Sequence, residues 1–306
     1  MTNLEKLINI VKSKDKRFLF LAKKGFYNNM NDEKYLARVF EIRTGKKLNL
    51  NAPKTFNEKL QWLKIHDRRP EYTTMVDKYA VKKYIADKIG KQYIIPTLGV
   101  WDKFEDIDFD KLPEKFVLKC THDSGGLVIC KDKSKLDLEE AKKKINKSLH
   151  NNYFYSGREW PYKNVPPRII AEKYMTDDEN SEGFTDYKFF CFDGKVDCVM
   201  VCLDRYTGNT KFYFFDKDWK LKRLNKRGKA APEGFTIPKP ECMDQMFELA
   251  AKLSEGITFV RVDFYQSCGQ IYFGELTFYP DSGFDANILP EADEYWGKLL
   301  KLKKEK

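Results

Sequence analysis

From about residue 115 onward the chain is dominated by short β-branched and aromatic runs: KFVLKC, GGLVIC, RIIAEKY, DYKFFCF, VDCVMVCL, TKFYFF, TFVRVDFY and QIYFGELTFY. Each is bounded by Gly, Asp, Asn or Pro, the pattern of strands closed by turns. Only two strong helical segments interrupt them, Leu136 to Leu149 and Met243 to Leu253. Strands that follow one another without a crossover helix pair antiparallel, so the pattern predicts an α+β fold rather than a regular βαβ alternation.

The chain before these runs reads differently. Residues 1–75 are predicted helical, with apolar residues at helical spacing in Leu4, Leu7, Ile8, Ile10 and Val11, and again in Tyr35, Val39, Phe40 and Ile42. In TFNEKLQWLK, Thr55 precedes Glu58 by three residues, a capping-box signature with Leu60, Trp62 and Leu63 as the buried stripe behind it. A further helix is predicted over Asp77 to Ile89, ended by Gly90 and followed by the extended YIIPTLGVW. The organisation expected is an N-terminal helical region (1–75) and a second domain (76–300), the latter divided into a central subdomain (105–172) and a C-terminal one (173–300).

A chain of 306 residues with 42% hydrophobic and 15% aromatic residues buries a core and is no disordered polymer. Its apolar stretches are strand-length, well short of the roughly 20 residues that cross a bilayer, and charges interrupt the N-terminal segment where a signal peptide is continuous. A cytoplasmic protein is expected. The seven cysteines show no CxxC spacing, which argues for reduced thiols and against zinc. The formal charge of +10 favours polyanions without choosing among them.

Three segments carry chemistry. In KFVLKCTHDSGGLVICK, a strand enters the loop around Ser124, Gly125 and Gly126 and another leaves it, with Lys119 just before. Such a tip either directs backbone N–H groups at a phosphate or is an ordinary hairpin turn. His122 is assigned a hydrogen-bonding role in the loop rather than acid–base work.

The second segment is FVRVDFYQSCGQIYFGELTFYPDSG. A three-residue turn at Cys268-Gly269-Gln270 places Asp263 opposite Glu275 and Arg261 opposite Thr277, all on one face of the hairpin. Two facing carboxylates repel unless positive charge lies between them, either a divalent cation or Arg261 with neighbouring lysines on a solvated face. A two-residue turn breaks this register. The third segment, RIIAEKYMTDDE, ends in Glu172, Lys173, Tyr174 and Met175, where backbone groups and flat apolar side chains suit the edge of an adenine.

Taken in order, TFNEKLQWLK, VDKYAVKKYI, FVLKCTHDSGG, IIAEKYM, DYKFFCFDGK, FVRVDFY and GELTFYPDSGF resemble the ATP-grasp superfamily, in its TupA-like branch named for teichuronopeptide biosynthesis, over about residues 55–290. The resemblance implies two α+β lobes gripping a nucleotide beneath a Gly-rich lid, with an N-terminal helical lobe. It implies ATP and Mg2+ as cofactors, with Lys78 and Lys119 on phosphates and Ser124, Gly125 and Gly126 as the lid. Glu172, Lys173, Tyr174 and Met175 would form the adenine hinge, and Lys188 would lie near ribose or phosphate. Asp263 and Glu275 would hold Mg2+, and Arg261 would stabilise the transferred phosphoryl group. Thr277 stands where many relatives place a metal-ligating Asn, a departure that a hydroxyl or Asp281 could offset.

The implied activity is a carboxylate–amine ligase acting through an acyl phosphate on a bacterial surface polysaccharide or its precursor. An anionic glycan or lipid-linked precursor and an amine are the partners this implies, with peripheral contact at the inner membrane face and no nucleic acid. Arg158, Lys163, Arg205 and Arg43 are conceivable carboxylate clamps, though each reads more simply as surface charge. Three alternatives stand beside this. One is a glycosyltransferase using the acidic Thr176-Asp177-Asp178, and another is a glycan kinase on the same fold. The third is a binding module with Tyr153, Phe154, Tyr155 and Trp160 as stacking platforms near Arg158 and Arg168.

Overall fold

The computed structural model describes residues 12–176, 185–204 and 208–303. Leu4, Leu7, Ile8, Ile10, Val11, Asp177, Asp178 and Arg205 lie outside them. All eight strand-like runs are strands, and two more extend them: β1 (Thr97–Trp101), inside the segment expected to be extended, and the short β8 (Leu221–Lys222). They form two antiparallel sheets. One contains β1, β4 (Ile169–Lys173), β2 (Phe116–Cys120) and β3 (Leu127–Cys130), in that spatial order. The other runs β10 (Gln270–Thr277), β9 (Val260–Ser267), β5 (Asp186–Phe192), β6 (Lys195–Leu203), β7 (Lys211–Phe215), β8.

Each sheet has its own apolar core. Phe116, Leu118 and Ile169 pack against Ala141 and Ile145 of a helix over Leu138–Leu149. On the larger sheet, Phe189, Val262 and Phe264 meet Met246, Phe247 and Ala250 of a helix over Met243–Ser254. Both helices are strongly one-sided, as a helix covering one sheet face must be. Trp296, from the helix over Pro290–Leu299, stacks on Phe190 at 4.6 Å and lies edge-on to Phe214.

The predicted capping box is present. Thr55 accepts from the Glu58 N–H, and the Glu58 carboxylate accepts from the Thr55 N–H, opening a helix over Phe56–His66. Leu60 and Leu63 are buried, but Trp62 is only half-buried, and the polar Gln61 and Lys64 are buried instead. Lys64 is a strut: its ammonium donates to Gly157 O and Ser282 O, both at 2.7 Å, and to Ser282 Oγ and Gln61 Oε1, both at 3.0 Å. It anchors a turn in which Asp281, Ser282 and Gly283 have φ of 46°, 55° and 65°. That is a run of left-handed backbone which non-glycine residues adopt only when held there.

The helix expected over Asp77 to Ile89 is present but starts four residues late, and a separate short helix precedes it. One helix covers Glu71–Val76 and another Val81–Lys88. Asp77 breaks them apart because its carboxylate accepts from the N–H groups of Tyr79 and Ala80, at 2.9 and 3.2 Å, a local bond that competes with helix continuation. Arg158 is a second correction. It is 1% exposed rather than surface charge, donating to Tyr27 O at 2.6 Å and lying over the Tyr35 ring at 4.4 Å. It ties the first helices, Lys14–Lys23 and Asp32–Thr44, to the segment before β4.

Candidate active site

The two sheets meet at a cleft of about 200 Å3, lined by Lys78, Lys82, Lys119, Glu172, Lys188 and Glu275 among others. Each element delivers its charge for a local reason. In β2, alternation buries Phe116, Leu118 and Cys120 and turns Lys119 the other way. β4 lies between β1 and β2, so Glu172 stands opposite Val117 and Thr97. Lys78 follows the Asp77 break, where its N–H donates to Thr121 O and its ammonium bonds Asp123 O.

The hairpin of β9 and β10 reaches the expected juxtaposition by another route. Its turn has two residues, Cys268 and Gly269, with φ of 49° and 76°, the left-handed pair of a tight hairpin turn. Alone this would displace Glu275 from Asp263. A bulge at Gly274 restores the register, so that Glu275 pairs with Asp263 and Thr277 with Arg261. Glycine is required there, because a Cβ would come within 2.9 Å of the Tyr265 ring.

Asp263 is fully buried while Glu275 is 41% exposed, and both carboxylates pair with Arg261, with Lys188 on Asp263, as the ion-pair alternative supposed. Arg261 grips Asp263 with two bonds of 2.7 Å and also reaches Glu275 at 3.1 Å and Thr277 Oγ1 at 3.0 Å. Lys188 adds a bond of 2.6 Å to Asp263. Burial pushes the Glu275 carboxyl up, but Arg261, Lys188 and Lys78 outweigh it and hold it at about 2. The same acids raise the Arg261 guanidinium against the effect of its burial. Among the described residues no group of three or more His, Cys, Asp or Glu side chains could hold a metal. The hard oxygens gathered here are those of Asp263, Glu275 and Thr277, all bonded by Arg261, with Lys188 also on Asp263.

On the other wall Glu172 is held by two lysines, Lys82 at 2.5 Å and Lys119 at 2.7 Å. Burial raises its carboxyl and the two ammonium groups bring it below the usual range. Sequence reasoning missed Lys82, although its spacing of four from Lys78 in VDKYAVKK was the available signal. Lys173, Tyr174 and Met175 are not among the lining residues, and the Lys173 N–H donates to Pro96 O at 3.0 Å.

In the loop after β2, Ser124 and Gly126 line the cleft, while Gly125 does not. The Gly126 N–H is not directed outward. It donates to Asp123 Oδ1 at 3.1 Å, so a carboxylate of the chain occupies the position an anion nest would offer. Gly126 is glycine for packing, since a Cβ would meet Cys120 Sγ at 2.5 Å and Ser148 Oγ at 2.7 Å. His122 is buried and bonds the carbonyls of Ser148 and Asn151, the loop role expected of it.

A sequence-family model described as TupA-like ATP-grasp matches residues 58–301, four-fifths of the chain and every charged residue of this cleft. The chain belongs to the TupA-like ATP-grasp family. Its α+β architecture is therefore an ATP-grasp fold. No curated protein matches. Among solved structures, similarity extends to D-alanine–D-alanine ligase from Bacillus anthracis (19% identity, 73% of this chain and 63% of that one, TM-score 0.41). The corresponding ligase from Helicobacter pylori gives 14%, 82%, 70% and 0.42. The ATP-grasp ligase PsnB complexed with minimal precursor gives 11%, 69%, 55% and 0.37. The chain thus spans little more than half the length of PsnB. Within the TupA-like family match fall both the Lys82–Glu172–Lys119 wall and Glu275 on the other wall, with Arg261 and Asp263 behind it rather than among the lining residues.

Proposed function

We propose that this TupA-like ATP-grasp protein is an ATP- and Mg-dependent carboxylate–amine ligase. The observation that carries the reading is the convergence of four lysines, Lys78, Lys82, Lys119 and Lys188, on one cleft that Glu275 also lines, with Asp263 paired to Glu275 in the hairpin behind it. Asp263, Glu275 and Thr277 offer the oxygen-only donor set that suits magnesium, and Lys78, Lys119 and Lys188 suit phosphate oxygens. When bound, Mg-ATP supplies a phosphoryl group that turns a carboxylate into an acyl phosphate open to an amine.

The chain's own residues orient the partners and place positive charge where negative charge develops. Arg261, fixed by Asp263, Glu275 and Thr277, is held in one orientation behind the cleft. The carboxylate belongs to a bacterial surface polysaccharide or its precursor, and the amine to an amino acid or amino sugar. The family's association with teichuronopeptide and the net charge of +10 support that choice. No helix of the described residues is long and apolar enough to cross a membrane, which fits an enzyme that meets its acceptor at the inner face.

Thermal shift with ATP, Mg2+ and both, followed by ADP release with uronic acid and amine pairs, tests the reading. A shift with Mg-ATP and ADP release that needs both substrates is expected. A shift with nucleotide sugars alone would overturn it, and ADP release with a neutral glycan and no amine would make the protein a glycan kinase.

A further inference from the structure

Glu172 stands between two cations that are not equivalent. Its side chain is only 7% exposed, with Lys82 on one oxygen at 2.5 Å and Lys119 on the other at 2.7 Å. Lys82 is 14% exposed and donates a second bond, to Ile95 O at 2.7 Å, so it is fixed to two protein acceptors. Lys119 is 24% exposed, and its hydrogen bond among the described residues is the one to Glu172. One lysine is anchored and the other is free to leave.

A phosphate-bearing ligand in the cleft draws Lys119 toward its oxygens. A buried carboxylate that loses its partner costs several kcal/mol unless another cation remains. We propose that Lys82 is a positioning residue that keeps Glu172 ionised and in place while Lys119 exchanges it for the phosphates of a nucleotide. Glu172 and Lys82 thus act as a holder from which Lys119 is drawn. In the absence of ligand the holder spares Lys119 the repulsion of neighbouring cations, since Lys82 and Lys78 both feel its charge. The proposal rests on the ATP reading of the cleft.

Isothermal titration of Mg-ATP, with adenosine followed by ligand-detected NMR, tests it on wild type, Lys82→Met and the double variant Lys82→Met/Glu172→Gln. Lys82→Met strands Glu172 whenever Lys119 leaves, so ATP binding weakens at least about 10-fold. Adenosine, which calls for no exchange, binds unchanged. The double variant has no acid to strand, and it binds ATP more tightly than Lys82→Met alone. Equal ATP affinity in Lys82→Met and wild type would overturn the proposal. So would parallel loss of ATP and adenosine, or a double variant no better than the single one, since either marks a merely structural lysine. Wild-type protein that binds no ATP would instead overturn the nucleotide reading itself, which is visible before any variant is made.

Discussion

Lys188 and Asp263 lie directly opposite each other on neighbouring antiparallel strands, and the ammonium bonds the carboxylate at 2.6 Å. Arg261, two residues before Asp263 on the same strand, grips that carboxylate from the other side. A fully buried acid therefore neutralises two cations, while its cross-strand partner Glu275 is 41% exposed toward the cleft. The two carboxylates share a register but carry different structural loads.

Substituting them should separate those loads. Asp263→Asn removes the buried acid that Arg261 and Lys188 share, leaving Arg261 only Glu275, and removing one member of a buried pair costs about 3 kcal/mol or more. Glu275→Gln keeps the neighbouring bonds to Asp263 and costs under about 1 kcal/mol. Both abolish ATP turnover. Urea denaturation beside an ADP-release assay checks this, and full Mg-dependent turnover in both variants would remove the metal assignment.

Lys64 gives a prediction away from the cleft. Its ammonium satisfies the carbonyls of Gly157 and Ser282 in the interior, beneath the left-handed turn at 281–283. Lys64→Met leaves Gly157 O and the buried Gln61 Oε1 without their donor, each costing about 1–3 kcal/mol, while Ser282 O keeps only its bond from Gln61. A loss of about 3 kcal/mol is expected in urea denaturation. A variant as stable as wild type would show that the turn holds itself.

What the sequence disclosed followed from periodicity and local chemistry. The β runs and the capping box at Thr55 and Glu58 needed only side-chain alternation and cap chemistry, whereas the pairing of Asp263 with Glu275 was expected from a three-residue turn and is reached through a two-residue turn and the bulge at Gly274. What escaped depends on long-range partners. Nothing local marks Lys64 or Arg158 as buried, because the carbonyls that hold them come from residues up to 218 positions away. Lys82 had one local signal, its spacing of four from Lys78, but only its long-range partner Glu172 distinguishes it from the many other lysines. The late start of the helix after Asp77 was the converse error, since a helical apolar pattern outweighed an Asx bond that the sequence does contain.

The bulge at Gly274 converts a turn of the wrong length into the right register, which makes that glycine a sharp test. In Gly274→Ala the new methyl meets the Tyr265 ring at 2.9–3.0 Å and Asp263 O at 3.1 Å. Overpacking of this kind costs about 1–3 kcal/mol. If the strand relieves the clash by slipping one residue, Glu275 moves to the opposite face. Loss of turnover larger than the stability change explains is expected, with the Glu275→Gln variant as the comparison. Unchanged turnover would show that the register tolerates a side chain at the bulge.

Acid should weaken the protein through Glu275. Its folded carboxyl is held at about 2, below the ordinary 4.5, because Arg261, Lys188 and Lys78 more than offset the upward push of burial. A depressed carboxyl means that the unfolded chain takes up the proton first as pH falls. The stabilisation is therefore fully present above about pH 5 and is lost as pH falls from the unfolded value toward about 2. Glu172, depressed by Lys119 and Lys82 against its own burial, acts in the same direction. Comparing wild type with Glu275→Gln isolates the first carboxyl, because Glu172 is common to both. Urea midpoints for the pair should differ by a constant amount between about pH 6 and 8 and converge as pH falls below about 4. A gap that widens in acid would mean that Glu275 is protonated in the folded protein and that Arg261 is balanced by Asp263 alone.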